Sequence, residues 1–146
     1  MGEADIDALF AIYGDAEVMR HASDPPFADR DTVRVMLASV SALLAEGRSL
    51  EWGVADRQTD RLIGTCGLHA FEAEPARAEV GCLLARSHWG RGLMREALEA
   101  LFVHAREGLG LAVLRADIDV GNDRSAALFR RLGFRPVGQT LHERPA

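Results

Sequence analysis

The chain has only two cysteines, Cys66 and Cys82, among its 146 residues. Two thiols cannot build the disulfide framework of a small secreted domain, and a chain of this length can bury a core without one. Each sits in an apolar, strand-like stretch, which predicts buried free thiols and a reducing, cytoplasmic setting. No apolar run approaches the length that spans a bilayer. The acidic start, Met1-Gly2-Glu3-Ala4-Asp5, also lacks the basic and apolar regions of a signal peptide, so no membrane partner is expected. Basic charge is not in surplus: a net charge of -5 opposes non-specific association with nucleic acid. His69 and His88 form no metal-spaced cluster with the cysteines, which predicts no metal site. With no internal repeat and no low-complexity linker, the composition implies one globular domain over residues 1–146.

Hydrophobic spacing divides the chain into elements. Ile6, Leu9, Phe10 and Tyr13 make an apolar stripe that predicts a helix over Asp5–Tyr13, followed by a further turn at Glu17–His21. Ser23-Asp24-Pro25-Pro26 is a loop, because each proline removes a donor and restricts its predecessor. Asp31 or Thr32 can cap the next helix, whose buried side would hold Val33, Met36, Leu37, Val40 and Leu44, with an end near Gly47. Strands are expected at Leu50–Ala55 and Leu62–Phe71, joined by the polar hairpin Asp56–Arg61, and at Ala78–Ala85 after a loop containing Pro75. Trp52 alternates with apolar neighbours and reads as core. The period then changes to helical through Met94, Ala97, Leu98, Leu101, Phe102 and Ala105, up to Gly108. A strand at Leu111–Asp117, a helix at Arg124–Arg131 stopped by Gly133, and a last strand within Phe134–Gln139 complete the pattern, before a polar tail. Three sequential strands with short links make an antiparallel meander. The whole is a single mixed α/β sheet covered by helices. One edge of that sheet is left incomplete or for a partner to complete.

The most informative segment is Ser87-His88-Trp89-Gly90-Arg91-Gly92-Leu93-Met94, between a strand and an amphipathic helix. A turn through Gly90 and Gly92 can aim several backbone N–H groups at one anionic group at a helix N-terminus. The nucleotide P-loop is excluded because Gly-Lys-Ser/Thr is absent. A dinucleotide fold is excluded because a meander, not a parallel strand-helix-strand unit, precedes the glycines.

Several segments in order resemble the GCN5-related N-acetyltransferase family, in particular its branch that acetylates ribosomal-protein N-termini. They are Glu79-Val80-Gly81, Trp89 through Ala97, Asn122-Asp123-Arg124-Ser125, Leu132-Gly133-Phe134 and the helical opening Ala8 through Met19. Two local departures stand out. Ser87 occupies the place of the family's usual Arg or Gln, with Arg86 one residue early, and Phe129 stands where many relatives place a tyrosine acid. The strand that normally precedes the first helix is lacking, and both ends are shorter than the family pattern.

The resemblance implies an acyl-CoA N-acyltransferase-like fold with splayed central parallel strands at Ala78–Ala85 and Leu111–Asp117. Acetyl-CoA would lie between them as substrate. The backbone of Cys82, Leu83 and Leu84 would pair with the pantetheine amides, and the N–H groups of Trp89, Gly90, Arg91, Gly92, Leu93 and Met94 would hold the pyrophosphate. Arg91 or Arg95 would add charge at the mouth or face solvent in a salt bridge. Trp89 is expected to anchor the loop by packing.

Amine acetylation needs a neutral nucleophile, alignment, stabilisation of oxygen charge and protonation of the leaving thiolate. Glu79 is the candidate base; the alternative is an exposed strand-end residue or a partner for Arg77. Asn122 and Ser125, three positions apart at a helix start, would face the cofactor arm, Ser125 near the leaving sulfur; the alternative is simple capping by Asn122, Asp119 or Asp123. Phe129 is an apolar wall beside the cofactor, or core. His69 either lines the acceptor side or is a satisfied surface or core histidine. The expected activity is acetyl transfer from acetyl-CoA to a primary amine in a ternary complex, the acceptor being a peptide or protein N-terminus or a small-molecule amine, by a monomer or homodimer. A noncatalytic acyl-CoA-binding or regulatory module, and a structural interaction domain, are the competing classes.

Overall fold

The periodicities of the sequence are realised in a computed structural model that describes residues 1–146. A short 3-10 turn, Glu3–Asp5, leads into α1 (Ile6–Tyr13), and a second turn at Met19–His21 precedes α2 (Arg30–Ala45). The meander follows as β1 (Ser49–Ala55), β2 (Leu62–Ala73) and β3 (Ala76–Leu84). Then come α3 (Leu93–Glu107), β4 (Val113–Asp117), α4 (Asp123–Arg131), β5 (Arg135–Pro136) and β6 (Leu141–Pro145). The six strands form one sheet in the order β1-β2-β3-β4-β6-β5, in which only β3 and β4 run parallel.

Alternation along the strands separates two faces. Cys66, Leu68, Ala78, Val80 and Leu114 join the α3 stripe of Met94, Leu98, Leu101, Phe102 and Ala105 in the main core, where Phe102 and Phe129 both pack on Phe134. Trp52 flanks this core, edge-on to His104. The other face carries Thr65, whose hydroxyl meets the Tyr13 hydroxyl of α1 at 3.0 Å. A second, smaller cluster, Ile6, Leu9 and Val33 with Phe27 and Leu62, fastens α1 and α2 on that side. No helix is long and apolar enough to cross a membrane.

Four boundaries differ from the sequence reading. The cap of α2 is Asp29, not Asp31 or Thr32: its carboxylate accepts the Thr32 amide at 2.8 Å, while Asp31 pairs with Arg34. Leu44 is not on the buried side; it is 53% exposed, and Leu43 takes the half-buried place because the helix ends before its stripe returns to the core. β2 and β3 extend to a tight turn at Glu74-Pro75, since Glu72 and Arg77 pair across the strands. The segment read as a final strand yields only Arg135–Pro136. The polar tail instead forms β6, inserted between β4 and β5. Its charges find partners: Glu143 accepts from Arg115 of β4 at 2.8 Å, and Arg144 donates to the Leu132 carbonyl at the end of α4 at 2.7 Å.

The buried α3 stripe sets a test of this packing. Leu98→Ala, at a position with no exposure, is expected to cost about 3 kcal/mol in urea unfolding. Leu44→Ala should stay within about 0.5 kcal/mol of the parent. Equal costs would contradict the assigned burial.

Candidate active site

β3 and β4 pair only through Arg77–Val113, Ala78–Leu114 and Glu79–Arg115. Beyond Glu79 the two strands part, while β3 stays paired to β2 as far as Leu84. This V-shaped cleft opens one edge of Val80 through Leu84, whose backbone groups need partners. Its closed end is braced by Glu72, Arg77, Arg115 and Glu143; Arg77 lies 3.8 Å from Glu143, and Arg115 3.5 Å from Glu72. Arg77 is therefore engaged away from Glu79, which instead meets His69 Nε2 at 3.3 Å.

The open end of the V faces the glycine loop. Gly90 and Gly92 have φ of 74° and 78°, left-handed values that favour glycine, and a Cβ at either would meet open space. Gly92 is the N-cap of α3 and offers no side chain, and Glu96 bonds to its carbonyl at 3.1 Å. The amides of Leu93, Met94 and Arg95 precede that bond and lack intrahelical acceptors, so they are free for an anion. Trp89 anchors the loop: its indole donates to the Leu84 carbonyl at 2.7 Å, and the Arg124 guanidinium covers its ring at 3.1 Å. A cavity of about 770 Å³ runs along the cleft.

Of the residues predicted for the site, Cys82, Leu83, Leu84, Trp89, Gly90, Gly92, Leu93 and Met94 line this cavity, as do Asn122, Ser125, Phe129, His69 and Glu79. Arg91 does not; it is exposed outside the lining. Arg95 lines the cavity and pairs with Glu99 at 2.8 Å. His88 lies outside the lining and bonds to Ser87. Asn122 does cap α4, accepting the Ser125 amide at 3.2 Å, and both residues line the cavity. Phe129 is both core and cavity wall.

Three further residues meet the cavity on the α1 face: Tyr13, Thr65 and Glu51. In the sequence Tyr13 reads only as part of an apolar stripe. Burial pushes its hydroxyl up to about 12, against the lowering effect of Thr65. Glu51 alternates with Leu50 and Trp52, a pattern that reads as a solvated strand face until α1 is seen to cover it. Its burial raises the carboxyl from 4.5 to about 7, and no cation is among the groups acting on it. The available signal was two glycines beside it: Gly53 on its own strand and Gly67 opposite it in β2. Cys66 and Cys82 face each other across β2 and β3 as free thiols. Burial raises them to about 11 and about 12, so neither supplies a thiolate nucleophile near neutral pH.

Residues 1–135 match the acetyltransferase (GNAT) domain family. The chain is 33% identical over 134 residues to the uncharacterized N-acetyltransferase p20 of Bacillus licheniformis, covering 92% of this chain and 75% of that one. Its fold is similar to that of RimL, a ribosomal L7/L12 alpha-N-protein acetyltransferase in complex with coenzyme A. The TM-score is 0.87 at 19% identity, over 99% of this chain and 90% of that one. It is likewise similar to spermidine N-acetyltransferase from Vibrio cholerae in complex with CoA and spermine, with a TM-score of 0.81 at 17% identity, over 99% and 89%.

The raised Glu51 carboxyl gives stability a definite pH dependence. The folded state favours the neutral acid, so this contribution is full below pH 4.5 and is lost as pH rises through about 7. Glu51→Gln, uncharged at every pH, should therefore gain on the parent by on the order of 3 kcal/mol between about pH 4 and about pH 9 in urea unfolding. A difference independent of pH would contradict the assignment.

Proposed function

This chain belongs to the GNAT acetyltransferase family, and we propose that it transfers the acetyl group of acetyl-CoA to a primary amine by direct attack in a ternary complex, with a protein or peptide α-amine as acceptor. The observation that carries this reading is the alignment of two unsatisfied backbone arrays: the open edge of β3 beyond Glu79, and the free amides following Gly92 at the mouth of the same cleft. A strand-like arm with two amides suits the first, and a pyrophosphate suits the second. Arg124, stacked on Trp89 beside the loop, adds positive charge. The likeness to RimL favours a protein α-amine; a small amine is the second reading, favoured by the likeness to spermidine N-acetyltransferase.

In the proposed reaction the amine nitrogen attacks the thioester carbonyl carbon and the carbon–sulfur bond breaks. Glu79, directly or through water, takes the proton that the nitrogen sheds as the new bond forms. The hydroxyl of Ser125 delivers a proton to the departing thiolate and regains one from solvent. Direct attack is supported by the raised thiols of Cys66 and Cys82, which disfavour an acetyl-cysteine intermediate. The same free, facing thiols support a reducing, cytoplasmic setting.

Screening peptides and alkylamines with acetyl-CoA, by free-thiol release and product mass, is expected to give thiol and acetylated amine in equal amounts. The chain has no lysine, so only its own N-terminus competes as acceptor. CoA binding without turnover of any amine would favour the noncatalytic module instead. Glu79→Gln should lower kcat roughly 100-fold while calorimetry shows CoA affinity unchanged; an unaltered kcat would remove Glu79 from the base role.

A further inference from the structure

Most primary amines are ammonium ions at neutral pH, so an acceptor must lose two protons on the way to an amide. Glu79 answers for one of them. The structure offers a second carboxylate for the other on the same face of the sheet. Glu51 projects from β1 toward the row formed by Gly67 of β2 and Gly81 of β3, which are directly paired. A Cβ at Gly67 would collide with the Glu51 Oε2 atom, so the missing side chain there is what lets the carboxylate lie across β2. It thereby lines the cavity from above β2, one alternation step from the paired His69 and Glu79.

No cation of the protein neutralises it. Arg20, which shares the cavity lining, pairs with Glu17, and the α2 arginines Arg30 and Arg34 pair with Asp7 and Glu3. The groups facing Glu51 are Tyr13 from α1 and Thr65 from β2, while Cys66 and Cys82 lie on the opposite face of the sheet. His69 and Glu79 lie one step along the sheet, and Arg20 and His21 also border the cavity. A largely covered carboxylate that has the Thr65 hydroxyl but no cation is costly to ionise, and a ligand that brings its own positive charge lowers that cost.

Resting on the acetyl-transfer reading above, we propose that Glu51 pairs with the ammonium group of the acceptor and takes the first of its two protons, so that the site selects cationic primary amines. The ammonium and the Glu51 carboxylate become a neutral amine and a carboxylic acid. The amine then attacks, its second proton passes to Glu79, and Glu51 returns its proton to solvent before the next turnover. A carboxyl raised to about 7 suits this exchange, since it is ionised in half the molecules near neutrality and remains basic enough to hold a proton.

The test is the pH dependence of kcat/KM for the best cationic acceptor of the amine panel, in the parent, Glu51→Gln and Glu51→Asp. The parent should show a limb rising through about pH 7. Glu51→Gln should lose that limb and at least about tenfold in kcat/KM at neutral pH, mostly through KM, with CoA affinity unchanged. Glu51→Asp, which keeps the charge, should retain a rising limb. Persistence of the limb in Glu51→Gln, or an equal loss in Gln and Asp without any change in pH profile, overturns this assignment while leaving acetyl transfer intact. Failure of the parent to acetylate any amine overturns the acetyl-transfer reading and this one with it.

Discussion

The parting of β3 and β4 after the Glu79–Arg115 pair is the constraint on which the rest of the structure depends. A parallel pair that continued to Leu84 would satisfy its own backbone and leave no place for a ligand strand. Once the strands diverge, the exposed edge of β3 needs an outside partner. The fold then holds that edge in place: β2 pairs it on one side, and the Trp89 indole fixes its last carbonyl. Because Trp89 also begins the glycine loop, the arm site and the anion site are positioned by one anchor.

The two faces of the sheet divide the work. On one, α3 supplies a continuous apolar stripe and the rigidity that keeps the loop at its N-terminus. On the other, α1 and α2 bury far less, and a polar group remains at the interface: the Tyr13–Thr65 hydrogen bond beside Glu51. Covering a carboxylate with a helix and giving it no cation lowers stability above neutral pH. In the proposed reaction the same arrangement supplies a basic group to the cavity that borders the cleft.

Elements whose character is set by neighbours in sequence were legible before the fold was known. The α3 stripe, the three-strand meander and the loop through Gly90 and Gly92 all follow from local spacing. Features set by long-range pairing were not. The polar tail becomes β6 because Arg115, far away in sequence, neutralises Glu143. The cap of α2 moved to Asp29 because several adjacent acids could serve and only the chain's direction chooses among them. The setting of Glu51 and Tyr13 is hidden for a related reason: alternation reports which face a strand residue occupies, but not whether a helix covers that face.

The cleft works as a CoA site only if the two backbone arrays bind one ligand together. Titrating the labelled protein with CoA while following amide resonances measures this. Concerted shifts at Val80 through Leu84 and at Gly90 through Arg95, saturating at one common concentration, are the predicted result. Shifts confined to the loop, or centred away from the cleft between β3 and β4, would contradict it.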